Sequence, residues 1–348
     1  MNLFDIAGWL AAAEGRVLSG FRWPLLTGAV ALAVTWFITP YVRNLAVKRG
    51  AVDDPKRDDR RIHREPLPRW GGIGIFAGIF VALALVLPFA YHYEPFPRYL
   101  IAMMALGALL VVFGALDDLY EFSAKIQALA LLIMGIAVQF FYDHIGRVQI
   151  ATVGVPLVEH RYLDLGHGLL AIFLTTAYIF VITKTMDTID GVDGLAASIA
   201  TIAATTLTII AAYGEQPRVA IVAAAIGGAG LGFLKHNYNP AKIIMGTGGS
   251  QLLGFLLGCL TIVGALKTAA AVALFIPILV FGVPITDAFV VVIRRALSGQ
   301  PITQGDKRHF HHTLLNKGLS QRQTVFVLAI AACLLCAVLL VVVKAYGR

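Results

Sequence analysis

The chain alternates apolar runs with short polar breaks, and the runs have about the length a helix needs to cross a hydrocarbon core, roughly twenty residues. This pattern predicts ten spans: Leu25 to Val42, Gly71 to Ala90, Tyr99 to Leu116, Ala124 to Tyr142, Gly168 to Thr183, Leu195 to Tyr213, Val219 to Leu234, Ser250 to Leu266, Ala269 to Ile293 and Gln323 to Val343. The expected fold is an all-α integral membrane protein with ten or eleven transmembrane helices and a cleft on one face. Residues 1–23 hold Asp5 and Glu14 and lack a long apolar core, so they read as an N-terminal interfacial segment. Residues 24–348 read as a single polytopic domain. Between the fourth and fifth spans, Val148-Gln149-Ile150 and Val155-Pro156-Leu157-Val158 around Gly154 suggest a hairpin.

Composition agrees with burial in lipid. The chain is 58% hydrophobic and 14% charged, whereas soluble domains carry about 25% charged residues. The net charge of +8 is explained by topology rather than by nucleic acid, which is excluded as a partner. With the N-terminus outside, one face receives Arg43, Lys48, Arg49, Lys56, Arg57, Arg60, Arg61, Arg64, Arg69, Lys125, Lys184, Lys235, Lys242, Arg294, Arg295, Lys307, Arg308, Lys317 and Arg322, which is 19 of the 28 bases. The positive-inside rule makes that face cytoplasmic, and a bacterial inner membrane is the expected location. Cys259, Cys333 and Cys336 fall within spans and read as small packing residues.

The unusual polar residues gather on the same face. Asp117-Asp118 ends the third span, and adjacent acids are most easily kept ionised beside a cation. Asp190-Gly191-Val192-Asp193-Gly194 sets two acids among glycines just before a span, where free helix-start amides favour an anion. Asn239-Pro240 leads to Met245-Gly246-Thr247-Gly248-Gly249-Ser250, a glycine-rich loop suited to phosphate oxygens or to a plain turn. His309-Phe310-His311-His312 reads as a phosphate or nucleotide contact or as a surface cluster; the companions of a structural zinc site are missing. Asp287 lies inside an apolar span, where an ionised side chain is costly, so it must face protein or a cavity.

Taken together, the segments His63 to Gly72, Gly114 to Lys125, Asp190 to Leu195, Asn239 to Ser250 and Asp306 to His312 resemble the polyprenyl-phosphate N-acetylhexosamine-1-phosphate transferases, particularly the undecaprenyl-phosphate GlcNAc-1-phosphate branch of glycosyltransferase family 4. The resemblance implies transfer of a sugar-1-phosphate from a UDP-sugar to polyprenyl phosphate, with magnesium, or manganese in its place, as cofactor. It implies catalytic roles for Asp117, Asp118 and Asp190. Metal ligation is expected from Asp118, Asp187 and Asp190. Substrate contacts are expected from His63, Arg69, Lys125, Lys184, Asp193, Asn239, Gly249, Ser250, His309, His311 and His312. The expected partners are polyprenyl phosphate, the UDP-sugar, the bilayer and, as an option, a second copy of the chain in a homodimer.

Three positions depart from the family pattern. The family has Asn where this chain has Lys184 and Asp187, and a magnesium-binding Asp where it has Thr247. One reading is that Asp187 regains the carboxylate lost at Thr247, with Lys184 adding a fixed positive charge. Lys184, Asp187 and Asp190 are spaced by three and share a face if helix continues past Thr183. The rival readings are a non-catalytic lipid-phosphate binder or assembly subunit, and a transporter.

Overall fold

The computed structural model describes residues 3–55, 65–91, 96–154, 162–265, 279–297 and 309–346. Its helices are α1 (Leu3–Arg49), α2 (Gly71–Ala90), α3 (Arg98–Tyr120), α4 (Ala124–Ala137), α5 (Leu169–Ile189), α6 (Leu195–Tyr213), α7 (Pro217–Asn237), α8 (Gly246–Ala265), α9 (Gly282–Leu297), α10 (Phe310–Asn316) and α11 (Gln321–Tyr346). Eight of them (α1, α2, α3, α5, α6, α7, α8 and α11) are long and apolar enough to cross a membrane. The protein is a multi-pass membrane protein.

Two expected elements differ. The fourth span ends early: α4 closes at Ala137 into a 3₁₀ turn, Val138–Phe140. There the buried amide of Gln139 donates to the Gly135 and Ile172 carbonyls and to Thr176 Oγ1. The expected hairpin is shifted along the chain. Its strands are β3 (Thr152–Gly154) and β4 (Tyr162–Asp164), so Gly154 pairs with Tyr162 instead of forming the turn. Residues 148–150 pack back on α5, where Ile150 N–H donates to Thr175 Oγ1. Val155 to Val158, and part of the expected ninth span, lie outside the described residues.

The centre of the bundle is α8, almost wholly buried and packed against α2, α3, α5, α6 and α7. Its small residues make this possible. A Cβ on Gly114 of α3 would strike the backbone of Gly248, and one on Gly72 of α2 would strike that of Gly249. On a third side, a Cβ on Gly254 would lie 2.7 Å from Thr183 Cα of α5. With no hydrophobic drive between helices in lipid, such close backbone approach supplies much of the cohesion. The same stripe draws the N-terminus of α8 against the ends of α3 and α5.

Two short strands complete that end. In antiparallel register, β1 (Val52–Asp53) pairs with β2 (Leu67–Pro68), Val52 opposite Pro68 and Asp53 opposite Leu67. The segment before α8 runs alongside, with Ile244 N–H donating to Pro68 O and Gly72 N–H to Met245 O. This places Asp53 and Arg69 over the glycine loop.

Candidate active site

Both acids at the end of α3 are buried. Asp117 Oδ1 accepts from Phe122 N–H at 2.9 Å. The Gln127 amide of α4 sits 3.1 and 3.0 Å from the two Asp117 oxygens. Asp118 Oδ1 lies 3.1 Å from Arg69 Nε and accepts from Thr247 N–H at 3.2 Å. Arg69 also reaches Asp53 at 3.2 Å. The Asp118 side chain is only 1% exposed, and a charge that deep requires such partners. Gly246, at φ +72°, is the pivot: a Cβ there would run into the Arg69 carbonyl oxygen and the Asp118 carboxylate.

Helix does continue past Thr183, and α5 presents Lys184 and Asp187 on one face. Lys184 Nζ is 2.6 Å from Asp187 Oδ2 and donates to Gln127 Oε1 at 3.2 Å. Asp187 Oδ1 accepts from Ser250 Oγ of α8 at 2.7 Å. The next acid, Asp190, caps the C-terminus of α5. Its carboxylate has no hydrogen-bond or ion-pair partner among the described residues. It is recessed, surrounded by protein yet still reached by water. Burial, then the charges of Asp187 and Asp118, hold its carboxyl well above the usual carboxylate range.

The histidines approach from the other side. His309 precedes α10, and Asp287 of α9 holds both: Phe310 N–H donates to Asp287 Oδ1 at 2.6 Å, and His309 Nδ1 lies 2.9 Å from Oδ2. Asp287 thus faces protein, as its place in an apolar run required. His309 and His311 are stacked, ring centroids 5.6 Å apart, and His312 lies 4.4 Å from His311. His311 is buried against the backbone of Gly191, where a Cβ would sit 3.0 Å from Nε2. Burial and the neighbouring His312 push its pKa down to about 3, so it is neutral at neutral pH.

Several sequence-predicted residues thus converge: Asp117, Asp118, Arg69, Lys184, Asp187, Asp190, Ser250 and His311 meet where α3, α5, α8 and α10 end. Others serve the frame. Asp193 Oδ2 accepts from Asn239 Nδ2 and Ala241 N–H, and Asn239 also binds Gln321 and Arg322 of α11. Gly249 is buried against Gly72. Lys125 is exposed in the first turn of α4. His63 lies outside the described residues. Gln127 and Asp53 carry no catalytic signature, although an acid inside the basic loop and an amide one turn into α4 were visible. Among the described residues, no three His, Cys, Asp or Glu side chains are grouped to hold a metal ion.

Residues 100–265 match the model of the family described as glycosyl transferase family 4. Among similar proteins, a Bacillus subtilis (strain 168) protein named probable undecaprenyl-phosphate N-acetylglucosaminyl 1-phosphate transferase is 35% identical over 86% of this chain and 79% of its own length. The decaprenyl-phosphate N-acetylglucosaminephosphotransferase of Mycolicibacterium smegmatis is 33% identical over 87% of this chain and 78% of its own. The undecaprenyl-phosphate alpha-N-acetylglucosaminyl 1-phosphate transferase of Escherichia coli K12 is 26% identical over 86% and 78%. Identity at this level across most of both chains, with the family model spanning α3 to α8, places the chain in glycosyl transferase family 4.

Proposed function

We propose that this protein transfers a sugar-1-phosphate, N-acetylglucosamine-1-phosphate in the first instance, from a UDP-sugar to polyprenyl phosphate at the cytoplasmic face of a bacterial inner membrane. The observation that carries this reading is the half-buried carboxylate of Asp190, at the C-terminus of α5 among acids that are already engaged. The names of the relatives support the same chemistry. In the balanced step, an oxygen of the lipid phosphate bonds to the sugar-linked phosphorus. The bond from that phosphorus to the UMP oxygen breaks, UMP leaves with the electron pair, and polyprenyl-diphospho-sugar remains.

The donors at this site are hard oxygens of the kind magnesium prefers, and magnesium commonly binds through one or two carboxylates with substrate phosphates and water. Asp190 is the acid open to it, with Asp118 next. Asp187 would have to release Lys184 or Ser250 to join them. When bound, the ion would reduce the repulsion between two phosphate groups. The chain's own groups do the rest. Asp117 and Asp118 fix the polar end of the site from α3. Lys184 and Arg69 supply standing positive charge, and the neutral His311 offers a hydrogen bond near Asp190. Lys125, exposed where α4 begins, is placed for a lipid phosphate arriving from the bilayer.

The test is release of UMP by the purified protein, given polyprenyl phosphate, magnesium and a small panel of UDP-sugars. Turnover with a UDP-N-acetylhexosamine, lost in Asp190→Asn, is expected. Absence of UMP with every UDP-sugar would overturn the proposal.

A further inference from the structure

The polar side chains between α3 and α8 form an unbroken chain: Asp117, Gln127, Lys184, Asp187, Ser250. Four of these belong to helices that end at the site. Gln127 is different: it belongs to the first turn of α4, the short helix, and its amide spans the gap between α3 and α5. Its donor end meets Asp117, which only accepts when ionised, and its acceptor end meets Lys184, which only donates. The partners therefore set the orientation of the amide, and both of its bonds are charge-assisted.

We infer that Gln127 is a positioning residue for the transfer site: it joins Asp117 to Lys184 while keeping the acid and the ammonium from collapsing into a direct ion pair. The inference rests on the transferase reading for its kinetic consequence. An uncharged side chain of this length with a donor at one side and an acceptor at the other is what the gap requires. Leucine would take from Asp117 its side-chain donor and from Lys184 its amide acceptor, leaving them Phe122 N–H and Asp187. Glutamate would keep Lys184 but set an oxygen against the Asp117 carboxylate. With Gln127 present, Lys184 is drawn toward Asp187 at 2.6 Å. Two of its three N–H groups are then used, and the third has no partner among the described residues. At 40% exposure of its side chain, that group is accessible to an incoming phosphate oxygen. Because Gln127 stands on a helix capped by Ser123, whose Oγ accepts from Ile126 N–H, the spacing is rigid rather than dependent on a loop.

Two measurements on the full-length protein test this. The first is a double-mutant cycle of thermal unfolding in detergent with Gln127→Leu and Lys184→Met, which needs no turnover. Residues in one network couple, whereas independent ones add. The double variant is expected to lose less in Tm than the sum of the two single losses, because both singles break the same Gln127–Lys184 bond, and additive losses would overturn the bridge. The second is steady-state kinetics of Gln127→Leu and Gln127→Glu. A misplacement of about 1 Å costs on the order of 10²-fold, so kcat is expected to fall by that order while both KM values stay within about two-fold. Unchanged kcat, or a rise in KM alone, would overturn the positioning role. A wild type without turnover would refute the transferase reading, and the thermal cycle would still decide whether Gln127 bridges the two charges.

Discussion

Replacing Asp287 by alanine should release the histidine segment without unfolding the bundle. Asp287 is 2% exposed, and its two oxygens meet the Phe310 N–H and the His309 ring. Hydrogen bonds to a charged group contribute about 1.5–3 kcal/mol each, so losing both weakens docking by roughly 3–6 kcal/mol before water compensates. Taking about 3 kcal/mol as the remainder, amide exchange across residues 309–316 should accelerate on the order of 10²-fold. Asp287→Asn is the control. Its oxygen still accepts from Phe310 N–H and its NH₂ can donate to a neutral His309, so its exchange should stay within about ten-fold of wild type. The assay is hydrogen exchange read by mass spectrometry on the intact protein in detergent. Because α10 brings His311 against Gly191, the alanine variant should also raise KM for the UDP-sugar more than KM for the lipid. Wild-type exchange in 309–316 for Asp287→Ala would refute the reasoning.

Asp190→Asn should raise Tm at neutral pH while abolishing turnover. The folded-state pKa of Asp190 is raised, so between the unfolded value and the folded one the unfolded chain releases a proton that the folded chain keeps; stability present below that window is lost as pH rises through it, and an amide escapes the loss. A lower Tm for Asp190→Asn would contradict this. Gly246→Ala should destabilise by roughly 2–5 kcal/mol, from a left-handed backbone and from overpacking against Arg69 and Asp118, and an unchanged Tm would remove the need for glycine there. In a cysteine-free background, Leu163→Cys should react with an impermeant thiol reagent in intact cells and Lys125→Cys should not, and the reverse would invert the orientation. Asp187→Asn should lose magnesium-dependent turnover and recover a substantial part of it on adding Thr247→Asp, and an active enzyme indifferent to Asp187→Asn would refute that coupling.

The spans were legible because lipid burial requires long apolar helices, and α2, α6 and α7 begin or end within a few residues of the predicted limits. The acids at 117, 118, 187 and 190 were legible because carboxylates beside apolar runs have few other uses. Burial against Gly72 and Gly114 was not, because a glycine looks the same in sequence whether it admits a phosphate or a neighbouring helix. Gly248 and Gly249 admit helices. Gln127 and Asp53 stayed hidden for a related reason. Their roles come from partners 57 and 16 residues away, Lys184 and Arg69, and only the folded bundle brings these together. α4 read too long because composition cannot register that Gln139 turns inward to bond α5.

Lys184 and Asp187 are best understood together with the loop they face. Ser250, which donates to Asp187, also reaches the carbonyls of Gly246 and Thr247 one turn back. An acid at 187 therefore arrives at the same turn of α8 as a side chain at 247, but from α5. Its charge arrives with a counter-charge, because Lys184 is bound to it at 2.6 Å. That carboxylate, with Asp118, already raises Asp190, and without a counter-charge it would do so unopposed. Brought in as a pair it adds almost no net charge, and Gln127 ties the pair to Asp117. Lys184 and Asp187 thus act as a unit. A single substitution at either position leaves the other as an unmatched charge in a half-buried cluster, and this is why the informative variants at this site are double ones.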